Sequence, residues 1–186
     1  MRKTNTLKWT LSGLLIALGI VIPMFSPVKI LLEPASFTLA SHVPIFFAMF
    51  LSPSIALYVA LGTTAGFLLA GFPIVVSLRA LSHVLFVAAG SWILKNNHSL
   101  LEHPGKKQLF SFVIGLIHAV SEVLVVTFFY YGGGLPEANY TNGFFYSVIL
   151  LVGIGTLLHS MVDFVIAQTV WAGLGRQTQK MKKALQ

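Results

Sequence analysis

The chain contains no cysteine. That removes disulfide frameworks, thiol nucleophiles and cysteine-ligated metals together. Charge is nearly as scarce. Only 9% of the 186 residues are Asp, Glu, Lys or Arg, against about 25% in an ordinary soluble domain. With 56% hydrophobic residues and a mean hydropathy of +0.84, this argues against a water-soluble protein. Acids are rarest of all: Glu33, Glu102, Glu122, Glu137 and Asp163 complete the set. Several enzyme signatures are absent too. No G-x-x-x-x-G-K-[ST] phosphate loop, no G-x-S-x-G nucleophile elbow and no H-E-x-x-H ligand pair occurs. Any ATP-driven process must therefore borrow its energy from another subunit. An intramembrane metal-dependent enzyme using the His, Glu and Asp residues is the alternative of a different class, and its ligand motif is missing. The net charge of +7 would suggest nucleic acid in a soluble protein; here the distribution of positive charge beside a lipid bilayer explains it better, and no nucleic-acid partner is expected.

What the chain does have is long apolar runs. They predict an all-α integral membrane protein, a six-helix bundle forming a single transmembrane domain over residues 1–186. The spans are expected at about 7–24, 37–51, 55–71, 73–94, 110–131 and 143–171. The first follows a short basic arm but no small-x-small cleavage site, so it is read as an uncleaved span rather than a signal peptide. Within it Gly13 and Ala17 stand four apart, a small-xxx-small pattern that lets a partner helix approach closely. Residues 26–36 are too polar for hydrocarbon and read as a loop. Arg2, Lys3, Lys8, Lys95, Lys106, Lys107, Arg176, Lys180, Lys182 and Lys183 all fall on the side of the termini, whereas the opposite loops carry Lys29 alone. This asymmetry predicts that both termini are cytoplasmic.

Ionisable residues inside such spans are costly and by default mark a site. Three pairs share a spacing of four, which places each pair on one helix face: Arg79 with His83, His118 with Glu122, and His159 with Asp163. His42 stands alone near the start of the second span. Arg79, His83, Glu122 and His42 are expected to converge on a cavity open to the outside, with His118, His159 and Asp163 lower down. Arg79 would hold a carboxylate through paired N–H donors. Glu122 and the histidines would bond ring nitrogens, hydroxyls or amides. Asn142 and Tyr146, with neighbouring tyrosines, would sit at the outer mouth. The alternative is an internal Arg79–Glu122 ion pair, which would favour a neutral or basic ring as ligand. No catalytic residue, metal site or cofactor is expected, because the pairs appear at different depths.

At these residues the chain resembles the substrate-binding S components of energy-coupling factor (ECF) vitamin transporters. The resemblance rests on size, on six spans with both ends inside, and on a basic arm before LSGLLIALGIVIP. The stretch FTLASHVPIFFAMFLSPSIALYVALGTTAGFLLAGFPIVVSLRALSHV is most similar to the niacin-type branch. The resemblance implies a subunit in a bacterial plasma membrane that binds one small water-soluble vitamin from outside. It further implies assembly with a transmembrane T component and two ABC-type ATPases. An A-x-x-x-A motif of that family corresponds here to Gly13 through Ala17, with Gly for the first Ala, and would contact the T component. The ligand implied is nicotinate, with pantothenate, pyridoxine or hydroxymethylpyrimidine as alternatives.

Overall fold

A computed structural model describes residues 2–32, 35–97 and 99–185. Helix α1 (Arg2–Phe25) leads into strands β1 (Lys29–Leu32) and β2 (Ala35–Thr38). Helices α2 (Val43–Leu51), α3 (Pro53–Leu69) and α4 (Ile74–Asn96) follow. A short 3₁₀ turn at Leu100–Glu102 precedes α5 (Pro104–Tyr131). The single turn α6 (Ala138–Thr141) leads to a π-helical segment (Phe145–Ile154), which runs without a break into α7 (Gly155–Leu174). A final helix, α8, covers Arg176–Leu185.

Four stretches are long and apolar enough to cross a bilayer: Asn5–Phe25, Ile74–Asn96, Pro104–Tyr131 and Phe145–Leu174. The protein is thus a helical membrane protein. Helix α3 is apolar but shorter, at 17 residues. Three prolines fall where their missing N–H costs nothing, whereas Pro23 lies inside the last turn of α1. Pro53 and Pro104 begin α3 and α5, and Pro44 lies in the first turn of α2.

The second expected span differs from expectation. Residues 37–42 are not helical. Phe37 and Thr38 belong to an antiparallel hairpin in which Lys29 pairs with Thr38 and Ile30 with Phe37. Glu33 and Pro34, within the stretch read as a loop, lie outside the described residues. Helix α2 has only nine residues, about 13.5 Å of rise, less than half of a ~30 Å hydrocarbon core. Ser41 and His42 find their partners on α7, and residues 35–38 pair with β1 instead of continuing a helix.

Packing relies on small residues. An added Cβ at Gly62 or Gly66 of α3 would overlap Ile16 or Ile20 of α1, and one at Gly90 of α4 would overlap Met49 of α2. Helix α4 lies between α3 and α5, and α5 between α4 and α7. Enclosed by them, a layer of aromatic side chains forms the main core. Phe46, Phe86 and Phe164 are essentially inaccessible, and Phe46 packs 5.9 Å from Phe86 and 5.3 Å from Phe164, ring centre to ring centre. Among the described positions Ala40 has the only positive φ of a non-glycine residue, 68°. It reverses the chain between β2 and α2, at a strain of about 1–3 kcal/mol.

Candidate functional site

The polar side chains gather directly on one side of the phenylalanine layer. Glu122 on α5 is the centre of one group. Its Oε2 accepts from Arg79 Nη2 on α4 at 2.8 Å and from Thr156 Oγ1 on α7 at 2.7 Å. Its Oε1 lies 3.5 Å from His83 Nε2 and 3.4 Å from His118 Nε2. Arg79 and Glu122 are both buried. A buried ion pair of this kind persists only with further hydrogen bonds to its remaining oxygen lone pairs, and Thr156 supplies one.

Asp163 on α7 is the centre of the second group. Its Oδ1 accepts the backbone N–H of Ala40 at 2.8 Å, and its Oδ2 accepts that of His42, also at 2.8 Å. His42 Nδ1 lies 3.1 Å from Oδ2, and His159 Nε2 lies 3.3 Å from it. Ser41 Oγ bridges the set, 3.1 Å from His159 Nε2. The carboxylate therefore satisfies two N–H groups of the turn that leads into α2, close to the helix start where a negative charge is also favoured by the helix dipole. It holds the strained turn at Ala40 in place and fixes the ring of His42.

His42 joins the two groups. Its ring centre is 5.0 Å from that of His83, 4.7 Å from His118 and 5.0 Å from His159. This corrects the expected separation in depth. His118, His159 and Asp163 are not a separate tier, because the hairpin takes up the first part of the stretch 37–51 and brings the start of α2 to their level.

A cavity of about 120 Å³ opens onto this cluster. Arg79, His83, Glu122 and His42 line its inner wall, and Lys29, Ser36 and Thr38 of the hairpin line its mouth. The size is well below the ~300–1,000 Å³ of a site for a drug-sized ligand, so it suits one small ring. Asn142 and Tyr146 do not contribute. Both are exposed and neither lines the cavity, since the segment 136–144 folds over α5, where Tyr140 packs 4.8 Å from Tyr130. Hairpin residues missed by sequence reasoning replace them. Alternation of polar Ser36 and Thr38 with Phe37 was the available signal, a period-two pattern over too few residues to separate from a helix start.

Gly13 and Ala17 lie on the outer face of α1, both exposed, and nothing lies within 4 Å of a Cβ built on Gly13. Two sets of side chains have the spacing to hold a metal ion: His42, His83 and His118, and His42, His159 and Asp163.

A membrane-embedded helical bundle with one small polar chamber, roofed by a hairpin and floored by aromatic rings, has the features of a solute-binding transport protein. No family model and no solved structure matches the chain. It is 41% identical over 179 residues to the niacin transporter NiaX of Lactococcus lactis subsp. cremoris (strain MG1363), covering 96% of this chain and 78% of that protein. Identity of that extent shows common membership: the chain belongs to the family of niacin-type vitamin-transporter S components.

Proposed function

We propose that this chain binds nicotinate in the chamber at Arg79, His83, Glu122 and His42, as the substrate-binding subunit of an ECF-type importer. The observation that carries the reading is the convergence of these four side chains on one small cavity, in a chain of niacin-transporter ancestry. Arg79 lines the cavity while paired with Glu122. The ligand carboxylate would meet the guanidinium at its cavity edge, and the imidazoles of His42 and His83 would meet the pyridine ring and its nitrogen. The small volume weighs against pantothenate, which is longer and branched. The Arg79–Glu122 pair, which by itself would favour pyridoxine or hydroxymethylpyrimidine, is offset by the niacin transporter's close relationship.

In this reading the chain has six membrane segments, the hairpin completing the second, and both termini are cytoplasmic. The chamber then faces outward across the bacterial plasma membrane. The exposed Gly13–Ala17 face of α1 docks on a transmembrane T component, and two ABC-type ATPases supply the energy. Calorimetric titration of the purified protein tests the ligand. Nicotinate is expected to bind more tightly than pantothenate, pyridoxine or hydroxymethylpyrimidine; a tighter complex with any of these three would displace the proposal. Recovery of the T component and ATPase pair with the tagged chain tests the assembly.

A further inference from the structure

His42 and His83 line the chamber and His118 lies buried behind them, each from a different part of the bundle, yet their ring centres form a nearly equilateral triangle with sides of 5.0, 4.7 and 4.7 Å. One ring nitrogen from each lies within 4.8 Å of the others. A tetrahedral zinc-class ion at ~2.0–2.1 Å from three imidazoles sets the ligating nitrogens about 3.4 Å apart and the ring centres about 5 Å apart. The ring centres already stand at that separation.

Two further observations point to a ligand for these rings. His118 is fully buried; its Nε2 lies 3.4 Å from Glu122 Oε1, and its Nδ1 has no hydrogen-bond partner among the described residues. A buried polar group left so calls for an occupant such as an ion. His42 has the outer-sphere contact typical of a metal-bound histidine, its Nδ1 lying 3.1 Å from the Asp163 carboxylate, which leaves Nε2 for an ion. Charge points the same way. With neutral histidines, the buried charges around the histidine cluster are Arg79 and Glu122 in the chamber wall and Asp163 behind it, one negative charge in excess, with Lys29 exposed. That balance offers a carboxylate only the guanidinium of Arg79, which already carries Glu122. A divalent ion reverses it to one positive charge, which a pyridine carboxylate neutralises. The alternative triad of His42, His159 and Asp163 is weaker, because both oxygens of Asp163 already accept backbone N–H groups.

We propose that His42, His83 and His118 bind one divalent transition-metal ion of the zinc class, with an open fourth position in the chamber. The ligand's carboxylate or ring nitrogen fills that position; this second step rests on the nicotinate reading above. Imidazole donors suit zinc, copper and nickel as well as cobalt, which serves as a spectroscopic probe.

The test uses the full chain, purified in detergent, stripped with EDTA and titrated with Co²⁺ and Zn²⁺ alone. One equivalent is expected to bind, with the intense visible absorption of tetrahedral Co²⁺. His42→Asn and His118→Asn abolish that uptake, Asp163→Asn weakens it about 10- to 100-fold, and the exposed His103→Asn leaves it unchanged. If His118→Asn does not fold, His83→Asn carries the same test. Nicotinate is expected to shift the Co²⁺ spectrum, and each ligand is expected to tighten the other by the same factor, about 5- to 150-fold. No stoichiometric uptake, or uptake indifferent to the histidine variants, overturns the metal site; nicotinate binding that survives EDTA in that case leaves the transport reading intact. Metal uptake with unaltered nicotinate affinity overturns the coupling alone. Metal uptake with no nicotinate binding at all overturns the ligand reading and leaves the metal site standing.

Discussion

Removing the guanidinium of Arg79 strands a carboxylate. From the sequence, Arg79→Ala is expected to abolish high-affinity binding and leave the fold intact. The buried pair with Glu122, 2.8 Å apart, changes the second half of that expectation. Taking one partner from a buried pair costs about 3–5 kcal/mol, so Arg79→Ala is expected to lower the melting temperature in detergent as well as abolish nicotinate binding. Adding Glu122→Gln removes the uncompensated charge and should return part of the lost stability, but none of the binding. A single variant with unchanged melting temperature would show that the pair contributes nothing to the fold. These two residues are legible in the sequence because an ionisable group in an apolar run has few harmless explanations. Asp163 is different. Its task is to receive the N–H groups of Ala40 and His42, more than a hundred residues away in sequence, and no local pattern announces such a partner.

The hairpin is the element on which the chamber depends. Its Phe37 ring sits against Gly155, where α7 takes over from the π-helical segment, and 5.4 Å from the ring of His159. Only a residue without a Cβ leaves room there. Gly155→Leu is expected to push the hairpin away and weaken nicotinate binding by at least about tenfold, or ~1.4 kcal/mol. Adding Phe37→Ala relieves the overlap and should restore part of the affinity; no recovery would mean that Gly155 acts through α7 instead. On α1 the opposite holds, since Gly13 faces open space. Gly13→Trp should leave nicotinate affinity unchanged and prevent recovery of the T component; full recovery would place the docking face elsewhere. The long helices were readable because hydrophobic length is a direct physical requirement of the bilayer. The short ones were not. An apolar run from Phe37 to Leu51 reads as one helix, whereas Phe37 and Thr38 pair with β1 and Ser41 and His42 find partners on α7 only in the folded bundle, which turns its first part into strand and turn. A continuous helix over that run would separate His42 from His118 in depth, whereas their rings lie 4.7 Å apart.

For the whole molecule, the orientation can be read with single cysteines, because the chain has none of its own. Lys29→Cys is expected to react with a membrane-impermeant maleimide added to intact cells, and Lys106→Cys only after lysis. The reverse pattern would turn the chamber toward the cytoplasm. The layer of Phe46, Phe86 and Phe164 beneath the histidines bears on what such a molecule does once oriented. These rings are close-packed and essentially inaccessible, and water or an ion crossing them would give up its hydration for no polar contact in return. The bundle in this packing is a stoppered vessel rather than a conduit. A solute that enters by the hairpin leaves by the same door, and no current accompanies it. On the proposed function, delivery to the far side then requires the vessel itself to be tipped, or its base to be broken open.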